Sequence, residues 1–159
     1  MRGLLVLCCL GASAQTDVPK FEQFPATETF AGKPAAPVLR RAKDRLYRTM
    51  IRIQAEMGPN FAGRYAVALW GCGSSCNGGA LVDEKTGEVL DLPFSVIAVG
   101  PGMFGDGEEM VEFKKDSCLF VFRGCPEENN ARCGAYYYEW TGSRFKFLKK
   151  FGFVPAPKR

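Results

Sequence analysis

Residues 118–140 read CLFVFRGCPEENNARCGAYYYEW, two aromatic-rich runs flanking a polar segment bounded by cysteines. Short runs of aromatic and β-branched side chains between turn-forming residues are the signature of β-strands. Pairing 118–123 antiparallel with 135–141, with facing residue numbers at a constant sum, sets Phe120 opposite Tyr138 and Phe122 opposite Tyr136. The same register brings Cys125 opposite Cys133 across the loop PEENNAR. A slip of one residue would turn every side chain to the other face, so the aromatic pairs and the cysteine pair select one register together. It predicts a Cys125–Cys133 disulfide closing the hairpin. Cys118 falls inside the apolar run CLFVF and is expected to be a buried free thiol, behaving as a small hydrophobe.

Outward from this hairpin the chain reads as short strands and tight turns. Thr141-Gly142-Ser143 would turn the second strand into another at 144–151. Upstream, 64–70 alternates Tyr65, Val67 and Leu69 with smaller residues and leads through a cysteine loop into 80–83. Glu84-Lys85-Thr86-Gly87 then forms a hairpin turn to 88–90, with Gly87 supplying a positive φ. Further strands are expected at 95–99 and 109–113, and the glycine-rich 100–109, without the Gly-Lys-Ser/Thr of a phosphate loop, reads as a connection. Consecutive strands joined by short turns favour an antiparallel meander.

Before the strands, Leu39, Ala42, Leu46, Met50, Ile53 and Met57 recur at helical spacing within 38–57, between Pro37 and Gly58-Pro59. This predicts one amphipathic helix whose apolar stripe packs on the sheet. Its other face carries Arg40, Arg41, Lys43, Arg45, Arg48 and Arg52 against Asp44 and Glu56, and reads as a solvated side. The alternative is a weak contact of Arg40, Arg41, Arg48 and Arg52 with an anionic membrane surface or glycan. The fold class expected is therefore α+β, mainly antiparallel β meander with one N-terminal amphipathic helix packed on the sheet.

Residues 1–14 combine Arg2, an apolar run from Leu4 to Leu10, and Ala12 and Ala14 at the positions a signal peptidase reads, so a signal peptide is expected there. Cys8 and Cys9 invite a lipid anchor, but Cys8 follows Leu7 where a small residue is needed. Residues 15–37, with spaced Phe21, Phe24 and Phe30 among prolines, read as an extended arm laid on the domain. Residues 38–159 are expected to form a single globular domain, periplasmic or secreted, with no transmembrane segment.

Composition narrows the chemistry. The chain has no histidine, which excludes Ser-His-Asp and Cys-His catalysis and histidine ligation of metals. A net charge of +4 over 159 residues is too mild to imply nucleic acid. Carboxylates such as Asp83, Asp91, Glu112 and Asp116 are scattered, with no spacing that argues for a glycosidase pair. Trp70, Tyr136, Tyr137, Tyr138 and Trp140 read as cross-strand core pairs more readily than as a sugar-stacking platform.

The densest local chemistry is LWGCGSSCNGG at 69–79. Zinc would need two more soft ligands at a spacing that Cys72 and Cys76 do not open, a thiol oxidoreductase would present C-x2-C at a helix N-terminus, and a nucleophilic Ser74 or Ser75 lacks a base. In an exported chain a Cys72–Cys76 disulfide stapling the turn is the expected use, with no metal and no cofactor. The clamped loop also offers a candidate binding rim of Gly73, Ser74, Ser75, Asn77 and Trp70, whose inward N–H groups would form an anion-sized concavity.

FEQFP (21–25), GPNFAGRY (58–65), WGCGSSC (70–76), VDEKTGEV (82–89) and YYYEW (136–140), in that order, resemble a group of uncharacterised exported bacterial proteins with GPNFAG-x-Y, WGCG-x-x-C, D-x-x-TG and YYY-x-W signatures. The resemblance covers most of the chain and implies no particular activity. Two positions depart from it: Arg64 stands where the pattern leads one to expect histidine, and Cys118 where it leads one to expect arginine. The sequence reading is thus an exported, disulfide-stapled, non-enzymatic binding or structural domain for a small ligand, glycan or protein. A histidine-free enzyme using a thiol or carboxylates, and a cationic envelope-associated protein, are the alternatives.

Overall fold

The computed structural model describes residues 17–73, 75–99 and 109–153. The expected signal peptide with Cys8 and Cys9, Ser74, and nearly all of the glycine-rich connection lie outside the described residues. Helices α1 (Ala42–Leu46) and α2 (Arg48–Glu56) precede eight strands: β1 (Tyr65–Gly73), β2 (Cys76–Asp83), β3 (Val89–Leu90), β4 (Ile97–Ala98), β5 (Val111–Phe113), β6 (Leu119–Pro126), β7 (Gly134–Trp140) and β8 (Phe145–Phe151). All pairings between these strands are antiparallel. The β6–β7 register sets Phe120 against Tyr138 and Phe122 against Tyr136.

The order β1-β2-β4-β6-β7-β8 departs from a simple meander at the three shortest strands. β3 and β4 share one edge of β2, and β4 and β5 share one edge of β6. Strands of two or three residues cannot span partners of eight, so each takes part of an edge. Among the described strands, the long hairpins β1–β2 and β6–β7 are therefore joined at one end only, through β4.

Side-chain alternation then makes three apolar layers. Tyr65, Val67, Leu81, Phe120, Phe122, Tyr136 and Trp140 point inward with Phe61, Phe94 and Ile97 and form the main core. Ala66, Ala68, Trp70, Ala80 and Val82 point outward from β1–β2 and meet α2 at Ile51 and Ala55. The three alanines leave room for the helix backbone to approach. Leu119, Val121 and Tyr137 point outward from β6–β7, and Phe21 and Phe24 of the N-terminal arm cover them. The arm is pinned there by polar contacts as well: Ser117 donates its hydroxyl to the Phe24 carbonyl at 2.8 Å, and Cys118 N–H bonds the same oxygen.

The helical segment corrects the sequence reading twice. It is two helices, because Tyr47 at φ −101° and ψ 19° ends one and begins the other. The expected stripe is also largely outside: Leu46, Met50, Ile53 and Met57 are exposed, while Ile51 and Ala55 are buried. The ridge that docks is Tyr47, Ile51 and Ala55, at i, i+4 and i+8, and Tyr47 stacks on Trp70 with ring centroids 4.3 Å apart. A flat aromatic partner and a floor of alanines select that ridge over the bulkier residues beside it.

Replacing Ile51 with Ala is expected to destabilise the protein by about 2–5 kcal/mol, whereas Ile53→Ala should change stability by less than about 0.5 kcal/mol. Urea denaturation midpoints compare the two, and a larger loss at Ile53 would reverse this assignment of faces.

Candidate functional site

Residues 69–73 and 75–79 of LWGCGSSCNGG form the two sides of the β1–β2 hairpin near its tip, with Cys72 and Cys76 joined in a disulfide and their Cα atoms 5.3 Å apart. Cys125 and Cys133 form a second disulfide. Pairing sets Cys76 opposite Ala98 and Ala98 opposite Cys125, so both staples sit at the same end of the sheet, on the two sides of β4. With neighbouring strands about 4.8 Å apart, Cys76 and Cys125 lie roughly 10 Å from each other.

This end is built for close packing. A Cβ on Gly78 would come within 2.7 Å of the Trp70 indole nitrogen, and one on Gly79 within 2.9 Å of the Ala68 carbonyl, so these glycines serve strand approach. Trp70 differs from its expected place on the rim: only 8% exposed, it lies under Tyr47 and presents little surface to solvent. The Asn77 amide donates to Met110 Sδ at 3.1 Å, while Gly73 and Ser75 are exposed. Among the described residues no group of three or more Cys, Asp or Glu could hold a metal ion.

At the opposite end, where β1 starts and β7 finishes, a cleft of about 490 Å³ opens between the arm and the sheet. Arg64, Tyr65, Cys118, Glu139, Trp140 and Thr141 line it, with arm residues from Gln23 to Glu28 as the facing wall. Arg64 is fixed from two sides. Its Nε and Nη2 donate to the two oxygens of Asp83 at 2.9 and 2.5 Å, and Nη1 pairs with Glu28 at 2.9 Å. The guanidinium also lies over the Tyr65 ring, 5.1 Å from its centroid. Burial would raise the Asp83 carboxyl, but hydrogen bonds from Arg64 and from the Lys85 N–H outweigh it and hold the pKa below its ordinary value. Tyr65 donates its hydroxyl to the Gly142 carbonyl at 3.2 Å, tying β1 to the β7–β8 turn. The Trp140 indole N–H is buried and reaches the Tyr65 hydroxyl only outside normal hydrogen-bond geometry.

Cys118 is a free thiol, half-buried on this cleft, which corrects its expected place inside the core. It shares the inward parity of Phe120 but precedes the start of β6, at the end where the core opens. Burial pushes the thiol pKa up and Glu139 adds to the shift, so the group stays protonated near neutrality. Of the cleft residues, the sequence singled out Phe24, Arg64, Tyr65, Cys118 and Trp140, each in another connection, and did not show the grouping. No spacing pattern links Glu28, Arg64 and Glu139; only the fold does.

Glu84 also escaped the sequence, where DEKTG reads as a solvated turn. Its side chain is 0% exposed and neither carboxyl oxygen has a hydrogen-bond partner among the described residues. The arm crosses here, with Ala35 N–H bonding the Glu84 carbonyl at 2.9 Å and Val38 N–H the Gly87 carbonyl at 2.8 Å. Burial, then the neighbouring Asp83 charge, raises the Glu84 pKa from 4.5 to about 7.

Compared with protein families, curated proteins and solved structures, the chain matches none of them.

A raised carboxyl pKa means the folded state holds the proton more tightly than the unfolded one. The stability Glu84 contributes is therefore complete below pH 4.5 and is lost as pH rises through about 7. Glu84→Gln should remove that decline and raise stability at pH 8 by a few kcal/mol, on the order set by burying an unpaired charge. Thermal unfolding of both proteins from pH 5 to 8 provides the measurement, and an unchanged slope in the variant would assign the pH dependence elsewhere.

Proposed function

We propose that the chain is an exported, disulfide-stapled binding domain that takes a small polar ligand in the cleft between the arm and the start of β1. The observation that carries this reading is the fixed Arg64, held by Asp83 and Glu28, on the wall of a 490 Å³ cleft shared with Tyr65, Trp140 and Glu139. That volume falls in the range of small-molecule sites, about 300–1,000 Å³. Export is supported by the apolar segment at 4–10 with its small residues and by two disulfides, which persist in oxidising compartments.

The charges favour one ligand class. Glu28 and Glu139 line the cleft against Arg64, which is already paired with Glu28 and the buried Asp83, while Glu139 is held only by the exposed Lys146 at 3.3 Å, so a ligand bearing amine or hydroxyl donors fits better than an anion. The protonated Cys118 offers no activated nucleophile, which favours binding over thiol chemistry. The resemblance to exported bacterial proteins adds support: the two positions that depart from its pattern, Arg64 and Cys118, line the same cleft. Relatives that differ there would differ in what they bind.

Titration of labelled protein with amino sugars, polyamines, neutral oligosaccharides and inorganic phosphate, followed by amide NMR, is expected to move Arg64, Cys118 and 139–142 with a donor-rich ligand. Glu139→Ala should weaken that binding roughly tenfold, the scale of a hydrogen bond to a charged group. Shifts confined to 71–77, or none with any of these compounds, would count against the cleft.

A further inference from the structure

The outward face of α1 and α2 is apolar where the sequence pattern called for a buried stripe. Leu46, Met50, Ile53 and Met57 are 71%, 43%, 50% and 75% exposed. Met50, Ile53 and Met57 recur at i, i+3 and i+7 along α2 and its C-cap, a line roughly 10 Å long at 1.5 Å per residue, and Leu46 adds to it from α1 across the break at Tyr47. Long apolar side chains seldom gather in this way on a free surface.

The flanking charge says what would cover them. Arg40, Arg45, Arg48 and Arg52 are all exposed on the segment that carries the stripe, as is Glu56; at about 3.6 residues per turn Arg48 and Arg52 fall on the flank between the docked ridge and the stripe. Arg45 and Arg48 donate only to backbone carbonyls of their own segment, at Arg40 and Arg45 respectively. The ion pairs of this region belong to Arg41 and Lys43, which bind Asp44 and Asp91. Arg41, named from sequence among the surface cations, is thereby committed to holding α1 against the β3 end of the sheet; its Nη2 also donates to the Val89 carbonyl at 3.3 Å. Four arginines without carboxylate partners among the described residues then share residues 40–57 with four exposed apolar side chains.

We propose that this face lies on an anionic lipid surface, with Leu46, Met50, Ile53 and Met57 in the headgroup–acyl boundary and the arginines on lipid phosphates. A convex helix needs no preformed groove in a fluid interface, and arginine stems extend along the apolar boundary while their guanidiniums reach the phosphates. A second copy of the chain is disfavoured by the same charges, since pairing the stripes would set arginines against arginines. The contact is peripheral: no helix among the described residues is long and apolar enough to cross a membrane.

The test is flotation of the purified full chain with vesicles of mixed phosphatidylglycerol and phosphatidylcholine, and of phosphatidylcholine alone. Every variant carries the same N-terminus, so any contribution of residues 1–16 cancels. Binding should favour the anionic vesicles and weaken as salt rises from about 0.1 to about 0.5 M. Ile53→Asp and, separately, Met57→Asp should each reduce it by roughly tenfold, the scale of withdrawing one apolar side chain from the interface. Arg48→Gln with Arg52→Gln should reduce binding to anionic vesicles and leave the residual binding to neutral ones unchanged. Circular dichroism of each variant confirms the fold, and the two aspartate positions provide independent readings. Equal binding to both vesicle types, or anionic binding indifferent to both aspartate substitutions, would overturn the proposal. So would self-association in sedimentation velocity that Ile53→Asp abolishes, which assigns the face to a second copy, or equally tight capture by polyglutamate, which assigns it to an acidic polypeptide.

Discussion

Two residues, Ile97 and Ala98, carry the connection between the two halves of the sheet. Each pairs on one side with β2 and on the other with β6, and among the described strands this is where the long hairpins share a ladder. A two-residue strand is weak on its own. Its position is reinforced from both flanks, since Cys76 and Cys125, directly opposite Ala98, are each bound covalently within their own hairpin. Ile97 anchors the same strand in the main core with 0% exposure. The disulfides thus stiffen the ends of two hairpins at the point where a short strand must hold them in register.

The consequences run outward from that seam. Because the hairpins meet at one end, the other must be closed by side chains and by the arm. Phe61 packs against Phe120 and Phe145 from different parts of the sheet, and Tyr65 meets Trp140 edge to face at 5.2 Å. The polar closure is Arg64, which gathers Glu28 from the arm and Asp83 from β2. The arm accordingly acts as a wall of the fold, covering the outer surface of β6–β7 with Phe21 and Phe24 before it reaches the open end.

What the sequence disclosed, and what it concealed, follows from the range of the interactions. The β6–β7 register was legible because aromatic pairs and cysteines gave the same answer over a short separation. The turn at Gly87 was legible because its φ of 75° needs a glycine. The orientation of the helices was not. Hydropathy weighed Leu46, Met50 and Ile53 as core residues, while docking was decided by Trp70 and the small residues of a strand pair whose surface the helix cannot specify alone. Glu84 was hidden for a similar reason: a turn glutamate is buried only when a distant segment, here the arm, crosses it. The cleft escaped because Arg64, Glu28 and Glu139 become neighbours only after strand order is set.

The hydrogen bond from Tyr65 to Gly142 joins residues 77 positions apart, and the Ser117 bond to Phe24 joins residues 93 apart. The walls of the cleft are therefore drawn from segments between Gln23 and Gly142, and each long-range pairing carries a loop-closure entropy that the packed fold must offset. A hairpin folding alone would possess its staple and its register, yet none of the cleft. The cleft is consequently a property of the assembled tertiary structure, since arm, sheet and β7–β8 turn must all be in place before its walls face one another.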